Sequence, residues 1–224
     1  MIFRRRGSAD AAASENVAPQ GGTEGVAEVV DAPLGSELSP RPLGPWDSSE
    51  ISGPAEGIDL GALIVPPFPQ GDLRIDVDPD TNVPMAATAA LPDAGVQVMV
   101  FAAPRSFGIW DDNLNQIASQ ATTNGQLVDR GTGVYGNEVR TKAVASDGSL
   151  QSVRFVGIDG PRWLLRLAYI GRAAEDRDAA AAFDDFVHGI VIQRDKEARA
   201  PGDHIPLTLP ADVVAQLDGN VIAE

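Results

Sequence analysis

The chain has 224 residues, of which 32 are Asp or Glu and 17 are Lys or Arg, so its formal net charge at pH 7 is −15. This length suits one ordinary domain with tails, because a core of about 150 residues already buries roughly 68–70% of its unfolded surface. The negative charge would repel duplex DNA and anionic membrane surfaces, so we expect no nucleic-acid partner. The absence of Cys excludes disulfides, thiolate chemistry, iron–sulfur clusters and Cys-ligated zinc.

The first residues are not expected to form a secretory signal. Arg4, Arg5 and Arg6 are followed by small, acidic and amide residues rather than by an apolar run. No stretch approaches the 18 or so apolar residues of a membrane-spanning helix. We therefore expect a cytoplasmic protein without an integral membrane segment, with lipid contact through the three arginines as an alternative.

The composition divides the chain into three parts. Residues 1–42 are rich in Ala, Gly, Ser, Glu and Pro and hold too few large apolar side chains to offset the entropy of ordering, so they are predicted to form a disordered acidic arm. Residues 43–200 are predicted to form a single α+β domain. Residues 201–224 are predicted to be a partly docked C-terminal tail.

The first half of the domain reads as strands. Residues 59–65 predict a short edge strand or ribbon that Pro66-Pro67 ends. In residues 72–78, apolar and charged side chains alternate as in a half-buried strand. The chain then returns through residues 83–91. Residues 96–103 are apolar at nearly every position, which predicts a strand in the middle of the sheet.

Helical spacing follows. Trp110, Leu114, Ile117 and Ala121 share one helix face, and Asn124-Gly125 is typical of a helix end. Residues 126–144 predict one or two strands with bends at glycines. A second helix is predicted over residues 176–188, and a short terminal strand over residues 190–192.

Residues 150–170 predict a β-hairpin that turns at Asp159-Gly160-Pro161. With a three-residue loop, Ile158 would face Arg162 and Arg154 would face Arg166. Two directly opposed arginines are unfavourable unless an acid or an anion lies between them. This expected pair is the main indication of a site.

Several segments resemble a known family. They are Gly44-Pro45-Trp46-Asp47, Asp59-Leu60-Gly61-Ala62-Leu63, residues 101–106 (Phe-Ala-Ala-Pro-Arg-Ser) followed by Trp110, and residues 154–163. Together they resemble an uncharacterised actinobacterial family, a domain of unknown function, over about residues 44–210. The resemblance implies a bacterial cytoplasmic protein and supplies no catalytic residues. The order of elements also resembles a Mog1/PsbP-type sandwich, an antiparallel sheet flanked by helices, whose relatives are mostly binding or assembly modules.

The motifs that suggest cofactors have simpler explanations. His188 and His204 are the only histidines and lack the companions of a metal site. Residues 131–136 match Gly-x-Gly-x-x-Gly, but strand-like sequence follows them, whereas a dinucleotide site needs a helix there. The alternating acids of residues 76–80 lack the Glu that closes a calcium loop. We expect no cofactor and no metal.

The candidate site consists of Arg105, Arg154, Arg162 and Arg166 with Asp159, which the hairpin would gather near one sheet. Arginine suits bidentate recognition of carboxylate or phosphate. The simpler alternative is that Asp159 or another acid pairs with these arginines inside the protein.

The sequence contains no complete catalytic constellation. We therefore expect a non-enzymatic binding or scaffold module that offers a sheet face, or a groove near Arg105, to a protein partner. The alternative is a binder of, or an enzyme acting on, a small anionic ligand. In that hypothesis Arg154 and Arg166 form a clamp and Asp159 is a candidate general base.

Overall fold

The computed structural model describes Leu38 and residues 41–144, 148–195 and 197–210. Most of the predicted arm and residues 211–224 of the predicted tail lie outside this part of the chain. Within it, two sheets and a few helices form a broadly α+β fold in which strands predominate. None of the helices in this part is long and apolar enough to cross a membrane.

The larger sheet has seven antiparallel strands. They are β4 Asp72–Val77, β5 Pro84–Ala90, β6 Ala94–Ala102, β7 Asp129–Gly133, β8 Gly136–Val144, β9 Leu150–Gly160 and β10 Trp163–Gly171. Their order across the sheet is β4-β5-β6-β10-β9-β8-β7. The strand predicted for the middle of the sheet is β6, which lies between β5 and β10.

A smaller sheet has the order β1-β11-β3-β2. It contains β1 Trp46–Asp47, β2 Ile58–Asp59, β3 Leu63–Val65 and β11 Val191–Ile192. The ribbon predicted over residues 59–65 is thus two short antiparallel strands, and the predicted terminal strand is β11, which pairs with β3.

Helix α1 spans Trp110–Thr123 and buries Trp110, Leu114, Ala118 and Ala121. Three of these belong to the predicted face, and its fourth member, Ile117, is half-buried. The single helix predicted over residues 176–188 is wrong. The chain instead forms three short helices, α2 Arg172–Glu175, α3 Arg177–Ala181 and α4 Asp184–His188. Asp176 adopts an extended conformation, and its side chain caps α3 by accepting a hydrogen bond from the N–H of Asp178, so the helix begins afresh there.

Each face of the larger sheet packs on a different layer. One apolar cluster includes Leu165, Leu167 and Phe183 and lies on the side of α2 to α4. The other includes Met99, Phe101, Trp110 and Leu164 and lies on the side of α1. Because successive side chains of a strand point to opposite faces, the central strands β5, β6, β9 and β10 contribute to both clusters.

The hairpin register differs from the prediction. Trp163 pairs with Gly160, so the loop is the two residues Pro161-Arg162, and Arg162 has a φ of 69°. Proline at the second turn position and a left-handed residue at the third are the pattern of a type II turn. The pairing is shifted by three residues from the predicted one.

This shift by an odd number of residues separates the two arginines that were expected to oppose each other. Arg154 faces Tyr169, and Arg166 faces Gly157. Since a shift by an odd number of residues exchanges the faces of a strand, Arg154 points to the α2–α4 side and Arg166 to the α1 side. A clamp made of these two residues is therefore wrong.

Candidate functional site

Arg154 belongs to an ionic cluster around Glu138, a residue of β8 that is 2% exposed. Arg154 Nη1 lies 3.0 Å from Glu138 Oε2, and Arg140 Nη2 lies 2.8 Å from Oε1. Arg177 Nη2, from α3, lies 3.5 Å from Oε1. The acid that pairs with Arg154 is thus Glu138, and three guanidinium groups surround this one carboxylate.

The Arg154 side chain is also held from two other directions. Its Nη2 donates to the carbonyl oxygen of Ala173 at 3.2 Å. Its Cζ lies 4.3 Å from the centroid of the Tyr169 ring, a cation–π geometry. These contacts fix the guanidinium between the sheet and α2.

A cavity of about 170 Å³ adjoins this cluster. Its polar lining includes Tyr135, Glu138, Tyr169, Arg177 and Asp184. Tyr135 comes from the tight turn between β7 and β8, and Tyr169 comes from β10. The cavity therefore lies between the sheet, that turn and helices α3 and α4.

The two phenols of this cavity are hard to ionise. Burial raises the pKa of Tyr135 to about 12, and the negative charge of Asp184 adds to the effect. Burial also raises the pKa of Tyr169, again with a contribution from Asp184. Both hydroxyls therefore remain protonated at neutral pH and can donate hydrogen bonds.

Arg166 lies on the opposite face, among apolar side chains. Its Nη2 donates to Met99 Sδ at 3.0 Å, and its Cζ lies 4.6 Å from the Phe101 ring centroid and 6.0 Å from that of Phe155. Burial lowers the pKa of Arg166. None of the ion pairs formed within the described residues includes Arg166.

His204 closes one end of this apolar surface. Its Nε2 lies 2.7 Å from the carbonyl oxygen of Met85 and must be the donor, since a carbonyl only accepts. Its ring meets the Phe101 ring edge-on, with centroids 5.5 Å apart. Burial lowers the pKa of His204, so the ring is neutral at pH 7.

Asp159 lies at the hairpin end and is 2% exposed. Its carboxylate accepts hydrogen bonds from the backbone N–H groups of Ile109 at 2.9 Å and Trp110 at 3.2 Å. These are the unpaired donors of the first turn of α1, which a carboxylate stabilises. Gly108 leaves the room for it, because a Cβ there would lie 2.2 Å from Asp159 Oδ2. Asp159 thus caps α1 from another part of the chain.

Arg105 and Arg162 lie together at the same end. The N–H of Arg162 donates to the carbonyl oxygen of Pro104 at 3.1 Å, and the N–H of Ala103 donates to that of Arg162 at 3.0 Å. Both arginine side chains are exposed. Nearby Arg194 has buried Nε and Nη1 atoms without a hydrogen-bond partner. The hypothesis that Arg105 and Arg162 bind a ligand stays a prediction.

Sequence reasoning missed Tyr135, Glu138, Arg140 and Arg177. Glu138 and Arg140 are two positions apart in a strand and so share a face, which is a usable signal for an ion pair. Arg177 reaches them from α3, and no local pattern indicates that approach.

Neither the described side chains nor the comparisons with known proteins assign an activity. Among the described residues, no group of three or more His, Asp or Glu side chains could hold a metal ion. No curated protein matches the chain. One family model, described as a protein of unknown function (DUF3710), matches residues 44–216. This match covers well over half of the sequence and includes nearly all of the described fold, and the chain therefore belongs to the DUF3710 family.

Proposed function

We propose that this protein is a non-enzymatic binding or scaffold module that docks a protein partner on the α1 side of the larger sheet. The docking surface, called the Arg166 face below, consists of the half-buried Met85, Phe155, Arg166 and His204 together with the buried Met99 and Phe101. The proposal depends on one observation. Arg166 is a half-buried cation with no carboxylate in ion-pair distance among the described residues.

A cation in apolar surroundings is costly unless it is paired. The contacts with Met99 Sδ and the two Phe rings compensate for only part of the lost hydration. A carboxylate from a partner would supply the missing charge. The expected occupant is therefore a protein segment with an acidic side chain next to an apolar one.

The composition of the Arg166 face favours a protein partner over a small ligand. Aromatic residues, Met and Arg are enriched in protein–protein interfaces, and methionine side chains adapt their shape to a partner. Asp76 accepts hydrogen bonds from Thr88 at 2.6 Å and Gln97 at 2.8 Å. These three residues lie on β4, β5 and β6 and form a polar rim on the same face of the sheet as Arg166.

Site-specific photocrosslinking in living cells tests the proposal. A benzoyl-phenylalanine at position 97, on the rim, is expected to form one adduct with a partner protein. The same group at position 185, an exposed position of α4, serves as the control. Arg166→Met keeps the apolar stem but removes the charge, and it should abolish the position-97 adduct. Arg172→Met removes an exposed charge of α2, on the other side of the sheet, and should leave the adduct intact.

Two results would count against the proposal. The first is an adduct at position 97 that persists unchanged in Arg166→Met. The second is the absence of any adduct specific to position 97 although thermal unfolding curves show that the variants are folded.

The same proposal includes a cellular location, a biological origin and a fold relationship. A cytoplasmic location is supported by the cysteine-free, acidic composition, and an actinobacterial origin by the resemblance of the motifs. A Mog1/PsbP-type relationship is supported by an antiparallel sheet that carries helices on both faces. Fold similarity of this kind does not determine a function.

A further inference from the structure

The cavity beside the Glu138 cluster lies on the opposite side of the sheet from the Arg166 face. Its volume of about 170 Å³ corresponds to roughly five or six water molecules at about 30 Å³ each. This room suits a compact metabolite rather than a peptide. Tyr135 and Tyr169 supply aromatic walls, and Arg177 and Asp184 stand where α3 and α4 meet the cavity.

The inner part of the cavity is rich in hydrogen-bond donors. Three guanidinium groups contact the single buried carboxylate of Glu138, and one of them, Arg140, also has the exposed Asp129 at 3.5 Å. Three positive charges against two negative ones leave positive charge locally in excess. Both contacts of Arg177, to Glu138 at 3.5 Å and to the Thr132 carbonyl at 3.2 Å, involve Nη2. Its other nitrogens make no hydrogen bond to described residues. The phenols of Tyr135 and Tyr169 add two further donors, which suit a carboxylate.

The cavity lining also includes one exposed carboxylate, that of Asp184. Asp184 is exposed in the first turn of α4, and its charge acts on both tyrosines. No ion pair within the described residues includes Asp184. A ligand whose anionic group contacts the buried guanidinium groups would therefore share the cavity with an exposed carboxylate.

We propose that this cavity binds a small zwitterion of the amino-acid class. The ligand carboxylate contacts Arg177 and the phenol of Tyr169, and its ammonium group contacts Asp184. Arg154 orients the Tyr169 ring by lying over it and is itself held by Glu138. The site differs from the predicted clamp, because it uses Arg154 without Arg166 and adds residues from α3 and α4.

Titration calorimetry with the full chain tests the ligand class. The probes are the common α-amino acids, each compared with its carboxylic acid without the amino group and with its amine without the carboxylate. At least one amino acid should bind about tenfold more tightly than either analogue, because each analogue loses one set of charge-assisted hydrogen bonds. Tighter binding of inorganic phosphate or a dicarboxylate than of any amino acid would overturn the zwitterion class.

Variants locate the site. Arg177→Gln and Asp184→Asn should each weaken amino-acid binding by about tenfold. Asp184→Asn should leave binding of the matched carboxylic acid unchanged. The control is Arg172→Gln, an exposed arginine of α2 whose ion pairs are with Asp93 and Asp176, and it should bind normally.

The test of amino-acid binding is independent of the test of partner docking. Arg166→Met changes only the opposite face and should retain amino-acid binding. The proposal is overturned if no amino acid binds at millimolar concentration, or if binding is the same in Arg177→Gln, Asp184→Asn and the unaltered chain.

Discussion

Arg140 and Arg154 lie directly opposite each other on β8 and β9, and the buried carboxylate of Glu138 binds both guanidinium groups. Two like charges in this position repel unless an acid lies between them. The physical expectation from the sequence was therefore sound, but it was attached to the wrong pair of arginines. The acid comes from β8 itself, two residues before Arg140.

Glu138→Gln should destabilise the protein by about 3–5 kcal/mol, because removal of one partner leaves buried guanidinium charge uncompensated. Urea unfolding followed by tryptophan fluorescence measures the loss. The control is Asp72→Asn, which breaks an exposed ion pair with Arg74 and should change stability by less than about 0.5 kcal/mol. Equal effects of the two variants would contradict this role of Glu138.

Asp159→Ala should destabilise the fold by about 1–3 kcal/mol, because two N–H groups at the start of α1 lose their acceptor. Gly108→Ala should also destabilise, since its Cβ would collide with the Asp159 carboxylate. A double-mutant cycle checks the connection. If the Asp159 cap is the cause, Gly108→Ala will cost less in the Asp159→Ala background than in the unaltered chain.

Gly157→Ala should destabilise by about 1–3 kcal/mol or more, because overpacking forces neighbouring groups to move. A Cβ at Gly157 would lie 2.0 Å from the Trp110 ring. Gly131→Ala is the matched control, since its Cβ would make an ordinary contact of 3.5 Å. Thermal unfolding compares the two variants. A similar midpoint for both would show that α1 adjusts easily.

The tyrosine titration is a direct check of the cavity, because Tyr135 and Tyr169 are the only two tyrosines of the chain. In the folded protein, phenolate absorbance should stay low at pH 10 and rise only near or above pH 12, since burial raises both pKa values. In urea both should titrate near pH 10. Because the folded pKa values exceed the unfolded ones, stability should be full below about pH 10 and should fall as the pH rises further. Titration of either phenol near pH 10 in the folded chain would contradict the burial.

The ionisation of Asp47 should make the stability of the protein depend on pH in the acidic range. Burial alone would raise its pKa, but hydrogen bonds from Ser49 and Trp163 and the charge of Arg41 lower it below its usual value. The stabilisation should therefore be complete above about pH 4 and lost as the pH falls through the folded pKa. Asp47→Asn can still accept the Trp163 N–H and removes only the charge. The difference in the free energy of unfolding between the unaltered chain and Asp47→Asn should shrink as the pH is lowered. A difference that does not change with pH would contradict this role of Asp47.

Local patterns in the sequence predicted the elements whose stability is local. The spacing of Trp110 and Leu114 indicated α1, because one helix face must be apolar to pack on a sheet. The apolar run of residues 96–103 indicated the central strand β6 for a similar reason. The helix predicted over residues 176–188 failed because Asp176 can satisfy a backbone donor and start a new helix, which an apolar stripe does not reveal.

Composition and periodicity by themselves determined the α+β class and most of the strands. They also indicated that arginines on the strands require acidic partners. Only the tertiary structure decided which acid each arginine meets. The turn at Pro161-Arg162 sets the hairpin register, and a change of three residues moves a side chain to the other face. The cavity brings together Tyr135, Tyr169 and Asp184 from separate elements, and such contacts depend on the packing of the whole chain rather than on any periodic signal along it.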